Sequence, residues 1–143
     1  MSTNSKLTVA THALAWIGLY QRRGNEIATS EQVAGSAGTN AVVIRRLLGD
    51  LRRAGLVESR RGAGAGWTLS RPLDTITLLD VYRAVDDASL FAMHRGEPNR
   101  DCVVGGGIQS ALAPVYARID EALRDELART TVEDLLSRIV ATA

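Results

Sequence analysis

Two helix-forming runs at 30–37 and 41–54, joined by a glycine-containing turn, are followed by strand-like runs on either side of a glycine-rich segment at 61–66. An apolar stripe then extends from Ile108 to Leu127. Two short helices joined so tightly make a helix-turn-helix. A glycine-rich hairpin directly after the second helix adds a wing, and the stripe adds a long C-terminal helix. The predicted class is therefore mainly α with a small β-hairpin: a winged helix-turn-helix over 1–72, its wing at about 56–70, then a linker and helical region over 73–143.

Each element has a local cause. Leu7, Ala10, Leu14 and Ile17 follow helical spacing, and Ala13, Trp16 and Tyr20 form a second stripe. A helix over 6–22 should thus be buried on much of its girth, ending at Arg22-Arg23-Gly24-Asn25. Thr29 is placed to cap a short helix running to Ala37, with Glu31 in its first turn. Gly38-Thr39-Asn40 is a turn ending in a capping residue, and the next helix stops at Gly55. Leu56–Arg60 and Trp67–Ser70 read as strands. Thr77 caps a helix to Val85, and most of 88–107, with Pro98 and three consecutive glycines, reads as loop. From Ile108 the apolar residues Leu112, Val115, Ile119, Leu123 and Leu127 recur at steps of 4, 3, 4, 4 and 4, an amphipathic helix. Pro114 should kink that helix or mark its true start. Thr131 opens a last helix to about Val140.

With 143 residues, 45% of them hydrophobic, the chain is long enough for a real core. No apolar run is long enough to span a membrane, and Met1-Ser2-Thr3-Asn4-Ser5-Lys6 lacks the apolar stretch of a secretory leader, so a cytoplasmic protein is expected. The single cysteine, Cys102, excludes an intramolecular disulfide and any site built from four cysteines of one chain. No Ser/His/Asp set, paired-acid cleft or metal spacing appears, so no enzyme is expected.

The net charge of +1 argues against a nucleic-acid partner only until it is divided. Residues 1–72 hold ten basic and four acidic side chains, a net of +6, whereas residues 73–143 hold seven and twelve, a net of −5. A basic half of this kind suits a polyanion. On the 41–54 helix, Leu47, Leu48 and Leu51 fall within about 60° of Ile44 and must face the core. Val42, Arg45, Arg46, Gly49, Arg52 and Arg53 lie on the other side. Arg45 and Arg46 are placed to reach base edges in a major groove, and Arg52 and Arg53 to reach phosphates. With one local carboxylate, Asp50, these guanidiniums repel one another until a polyanion arrives. In the hairpin, Arg60 and Arg61 stand beside small residues that let the backbone approach a duplex while an arginine enters the minor groove. A nucleotide cradle at 62–66 is set aside, because a strand rather than a helix follows the glycines.

The runs Thr39–Leu48, Leu51–Val57 and Arg61-Gly62, with Ile76–Tyr82 and Cys102–Gly105 further on, resemble the Rrf2 family of bacterial transcription regulators. The resemblance implies a homodimer in which the long helix, carrying Ile108, Leu112, Val115, Ile119, Leu123 and Leu127, is the dimerisation helix. It implies double-stranded DNA with a near-palindromic operator as partner, and a repressor as the function. It carries groove-reading roles onto Asn40, Val42, Val43, Arg45 and Arg46, and a minor-groove role onto Arg61, with Gly62 beside it. Cluster-binding relatives place three cysteines before the long helix; this chain has only Cys102 there, so no iron–sulfur cluster is expected. His12 and His94, the sole histidines, read as ordinary surface or packed side chains. Cys102 reads equally as a thiol switch answering an oxidant, its pKa lowered by the helix it precedes, or as a small buried residue at a helix entry. A small-molecule effector near Trp16, or a protein-interaction module using the 108–128 stripe, is the alternative.

Overall fold

The structure is a computed structural model describing residues 3–143, with side chains from Ser5 onward. Met1 and Ser2, part of the stretch examined for a secretory leader, lie outside the described residues. In order come α1 (Thr3–Arg22), α2 (Ser30–Ala37), α3 (Ala41–Arg53), β1 (Val57–Arg60) and β2 (Gly66–Leu69). A 3-10 turn (Leu73–Thr75), α4 (Leu78–Val85), α5 (Val103–Leu127) and α6 (Val132–Thr142) follow. The two strands pair antiparallel with Val57 opposite Leu69 and Arg60 opposite Gly66.

Caps fix where the helices begin. Thr29 accepts the Gln32 N–H at 3.2 Å and donates its own N–H to Gln32 Oε1 at 2.9 Å, a capping box of the kind that contributes about 1 kcal/mol. Thr77 with Asp80 and Thr131 with Asp134 repeat the motif at α4 and α6. Those two starts are clasped together: Leu78 N–H donates to the Thr130 carbonyl and Val132 N–H to the Ile76 carbonyl, each at 2.9 Å.

Packing divides the chain differently from charge. One compact unit comprises the chain up to Asp87 together with Ala128–Ala143; the other is Ala88–Leu127. The first unit reaches past Pro72 because Leu73, Ile76, Val81 and Val85, and then Val132 and Leu136, join the core begun by Ala10, Ala13, Leu14 and Ile17 of α1. Ile44, Leu47, Leu48 and Leu51 of α3 close that core, each at most 2% exposed. Burying side chains of this size contributes about 1.5–3 kcal/mol apiece. Both stripes expected on α1 are engaged, with Trp16 and Tyr20 partly buried and stacked at 4.7 Å. An ion pair between Arg22 and Glu133 ties the end of α1 to α6.

The second unit corrects the sequence reading. Residues 103–107 are helical rather than loop, so α5 starts five residues before Ile108, and Pro114 lies inside it rather than at its start. Propensity argued against a helix through Gly105-Gly106-Gly107, but tertiary packing overrides it. The chain folds back over the first turn: a Cβ on Gly105 would lie 2.1 Å from the Asn99 carbonyl oxygen, and one on Gly106 would lie 3.0 Å from that of Arg100. Cys102 N–H donates to the Asn99 carbonyl at 3.3 Å, and Gly106 N–H to the Cys102 carbonyl at 2.9 Å. Gly107, by contrast, has open space around it.

A pair of alanine substitutions separates these roles. Gly107→Ala should raise the midpoint of thermal unfolding, by up to about 1 kcal/mol of added helix propensity. Gly105→Ala should lower it despite the same propensity gain, because the added methyl meets backbone. Equal stabilisation by both, measured by circular dichroism, would show that the fold-back is not tightly packed.

Candidate nucleic-acid interface

The site grows from the register of α3. With its four apolar residues buried, the helix holds Val42, Arg45, Arg46, Arg52 and Arg53 on its exposed side; Val42 is 55% exposed. Val43, which the periodicity places off that arc, is partly buried and packs against the core. Asn40 caps the helix, its Oδ1 accepting the Val43 N–H at 2.9 Å while its amide NH2 stays outside that bond. Arg53 lies across Gly49, with Nη1 3.7 Å from where a Cβ would stand.

The wing is held to the same face by three sets of contacts. Ala28 and Trp67 exchange backbone hydrogen bonds of 3.0 and 2.7 Å, extending the hairpin by one bridge. Trp67 Nε1 donates to the buried Ser30 Oγ at 2.9 Å. Gln21 of α1 donates to Thr68 Oγ1 at 2.9 Å and accepts the Leu69 N–H at 3.3 Å. The approach of 27–28 to β2 leaves no room at Gly66, where a Cβ would lie 2.5 Å from the Ala28 carbonyl oxygen. Arg60 ends β1, and Arg61 and Gly62 begin the exposed turn, Gly62 at φ +83°, a conformation glycine adopts without strain. A groove of about 260 Å³ remains between α2, the first turns of α3 and the wing, with Arg45, Arg60 and Ser59 on its walls.

The arginines are not the mutually repelling set that one local carboxylate implies. Arg45 pairs with Glu31 of α2 at 3.0 Å, Arg60 with Glu26 at 2.9 Å, and Arg53 with Asp50. Arg52 donates to Ser59 Oγ at 3.2 Å. Arg46 and Arg61 make no ion pair or side-chain hydrogen bond among the described residues. The contacts of Glu26, Glu31, Ser59, Ser30 and Trp67 escaped the sequence reading because their partners lie between 7 and 37 positions away. The capping position of Thr29 is the one local signal near them. Pairs this exposed contribute only about 0.2–1 kcal/mol, so a phosphate can displace them.

The remaining candidates lie in the second unit. No residue of α5 is buried, and Val115 and Ile119 of the expected dimer stripe are each 37% exposed. Cys102 is exposed, which removes the reading of it as a small buried residue. It directly precedes α5, and its sulfur faces the N–H groups of Gly105, chiefly, and Val104, which lower its thiol pKa. Among the described residues no three His, Cys, Asp or Glu side chains are grouped to hold a metal. With Cys102 as its one thiol, the chain does not by itself supply the four cysteines of a cysteine-ligated cluster.

A helix-turn-helix whose second helix presents arginines beside an arginine-bearing hairpin defines a DNA-binding module of the winged-helix class. The chain belongs to the Rrf2 family: residues 3–138 match the family model described as an iron-dependent transcriptional regulator. It is 37% identical over 137 residues to YwnA of Bacillus subtilis, an inferred HTH-type transcriptional regulator, covering 95% of this chain and 98% of that one. It is 30% identical to the HTH-type transcriptional regulator IscR of Cereibacter sphaeroides, covering 95% of this chain and 87% of the relative. The crystal structure of an inferred DNA-binding protein superposes with a TM-score of 0.72 at 34% identity, covering 92% of this chain and 99% of that one. The protein is a winged helix-turn-helix, DNA-binding transcription regulator.

Two substitutions divide the work of Asn40. Asn40→Ala removes the cap and should cost about 1 kcal/mol of stability in urea unfolding. Asn40→Asp keeps a capping oxygen, so stability should hold while affinity for duplex DNA falls, a carboxylate having replaced the amide donor. Unchanged DNA affinity in Asn40→Asp would remove Asn40 from the interface.

Proposed function

We propose that the protein is a homodimeric, sequence-specific repressor whose affinity for its operator responds to oxidation of Cys102. One observation carries the DNA reading: six arginines stand exposed on α3 and on the first part of the wing, and two of them, Arg45 and Arg60, line one groove. Arg45 and Arg46 would read base edges, since a guanidinium pairs bidentately with guanine, while Arg52 and Arg53 would neutralise phosphates. Arg61 beside Gly62 would enter the minor groove. The dimer is supported by α5, none of whose residues is buried: in the Ile108–Leu127 stripe Val115 and Ile119 are exposed, and Ile108, Leu112, Leu123 and Leu127 are only half-buried. A dimer reading two half-sites about 34 Å apart requires a near-palindromic operator.

The sensing step has balanced chemistry. The Cys102 thiolate attacks a peroxide oxygen, the O–O bond breaks, sulfur is oxidised by two electrons to a sulfenic acid, and hydroxide leaves as water. A second Cys102 in the dimer could then displace water from the sulfenic acid to give an intersubunit disulfide. Exposure of Cys102 and the N–H groups facing its sulfur support this reading. We further propose that the protein works without an iron–sulfur cluster, that it has no catalytic role, and that it acts in the cytoplasm; among the described residues no helix is long and apolar enough to cross a membrane.

Selection of bound duplexes from a random pool tests the reading. A near-palindromic consensus is expected, bound by two chains. Arg46→Ala should weaken operator binding and reduce the salt dependence by about one unit of slope if it holds a phosphate, or relax one base position if it reads a base. Peroxide should weaken binding by the wild type and leave Cys102→Ser unaffected. No enrichment of any sequence would overturn the DNA reading; equal peroxide sensitivity in Cys102→Ser would overturn the switch alone. Freshly purified protein should show no visible absorption band.

A further inference from the structure

Resting on the DNA-binding reading, we infer that Glu31 and Glu26 are electrostatic guards that suppress binding to non-cognate DNA. Both belong to one short segment, 26–31, bolted to the wing through the Ala28–Trp67 backbone pair and the Trp67–Ser30 hydrogen bond. That anchoring is what brings each carboxylate to an interface arginine. Glu31 Oε1 accepts from Arg45 Nη1 at 3.0 Å, and Glu26 Oε1 accepts from Arg60 Nη2 at 2.9 Å. Both carboxylates remain open to solvent, Glu31 at 68% and Glu26 at 73% side-chain exposure.

The discrimination follows from what an arginine can do at once. A guanidinium has five N–H donors. With one committed to Glu31, Arg45 keeps enough to pair with the two acceptors of a guanine edge, and the carboxylate steadies the fork at the correct angle. At a cognate site the pair therefore persists. At a non-cognate site the duplex is held through its phosphates alone, and a phosphate arriving at Arg45 or Arg60 either displaces the carboxylate or sits beside it. In both cases a negative charge is left within a Debye length, about 8–10 Å, of the backbone. The penalty from Glu31 falls on backbone binding and spares base reading, whereas Glu26, whose partner Arg60 reads no base, weakens backbone binding at every site. Arg46 and Arg61, which have no such partner among the described residues, supply the unguarded attraction.

The test compares wild type, Glu31→Gln and Glu26→Gln on two duplexes of equal length and composition, the selected operator and a scrambled version. Binding is measured across a salt series. Glu31→Gln should bind the scrambled duplex about threefold to fivefold more tightly, with a steeper salt slope, and change operator affinity by less than about twofold, whereas Glu26→Gln should tighten binding to both duplexes. The specificity ratio of Glu31→Gln falls accordingly. Equal tightening on both duplexes by Glu31→Gln would overturn the inference, as would unchanged binding of either variant to the scrambled one. Loss confined to the operator would also overturn it, making Glu31 a base reader or a positioning residue for Arg45. If the wild type does not distinguish the two duplexes, the DNA-reading assignment itself fails, and the guard fails with it.

Discussion

Burial of Ile44, Leu47, Leu48 and Leu51 is the constraint on which the rest of the structure depends. These side chains fix the rotation of α3 about its axis, and that rotation decides which way every other residue of the helix points. A rotation of one residue position, about 100°, would carry an arginine into the core and a leucine into water, at a cost far above that of any surface ion pair. The arginine face is thus the complement of the hydrophobic one. Asn40 sets where the helix starts, Gly55 follows its end, and the wing contacts place Arg60 and Arg61 beside the face so defined.

Electrostatics works on top of that frame and at a smaller scale. The +1 of the whole chain says little, since it sums a basic half that holds the candidate DNA-facing arginines and an acidic half. Within the basic half the carboxylates are few, yet Glu26, Glu31 and Asp50 each stand against an arginine of the candidate face. The result is a surface of two kinds of guanidinium: those already satisfied by a carboxylate and those that are not. Such a division suits a protein that must slide over a great excess of non-cognate DNA before it stops.

How much of this is legible in the sequence follows from the range of the interactions. Helix α3 is amphipathic, so its buried and exposed faces can be read residue by residue. Capping boxes at Thr29, Thr77 and Thr131 lie within four positions of sequence, and they mark helix starts correctly. The wing is legible from glycines between strand-forming runs. What fails is long-range or against propensity. The first turn of α5 reads as loop because glycine disfavours helix, whereas the fold-back of 99–102 requires residues without a Cβ at Gly105 and Gly106. The return of α6 to the first core has no local signature, since Val132 and Leu136 meet residues far back in the chain. The ion pairs of Arg45 and Arg60 are hidden for the same reason, spanning 14 and 34 positions.

The central claim is that two copies of this arginine face read one duplex. Hydroxyl-radical and base-methylation footprinting of the selected operator tests it most directly. Two protected segments are expected on one side of the duplex, their centres one helical turn (about 10 bp) or a multiple of it apart, with guanine N7 protected in the major groove of each. A single protected segment, or protection of the backbone without any guanine, would contradict the account.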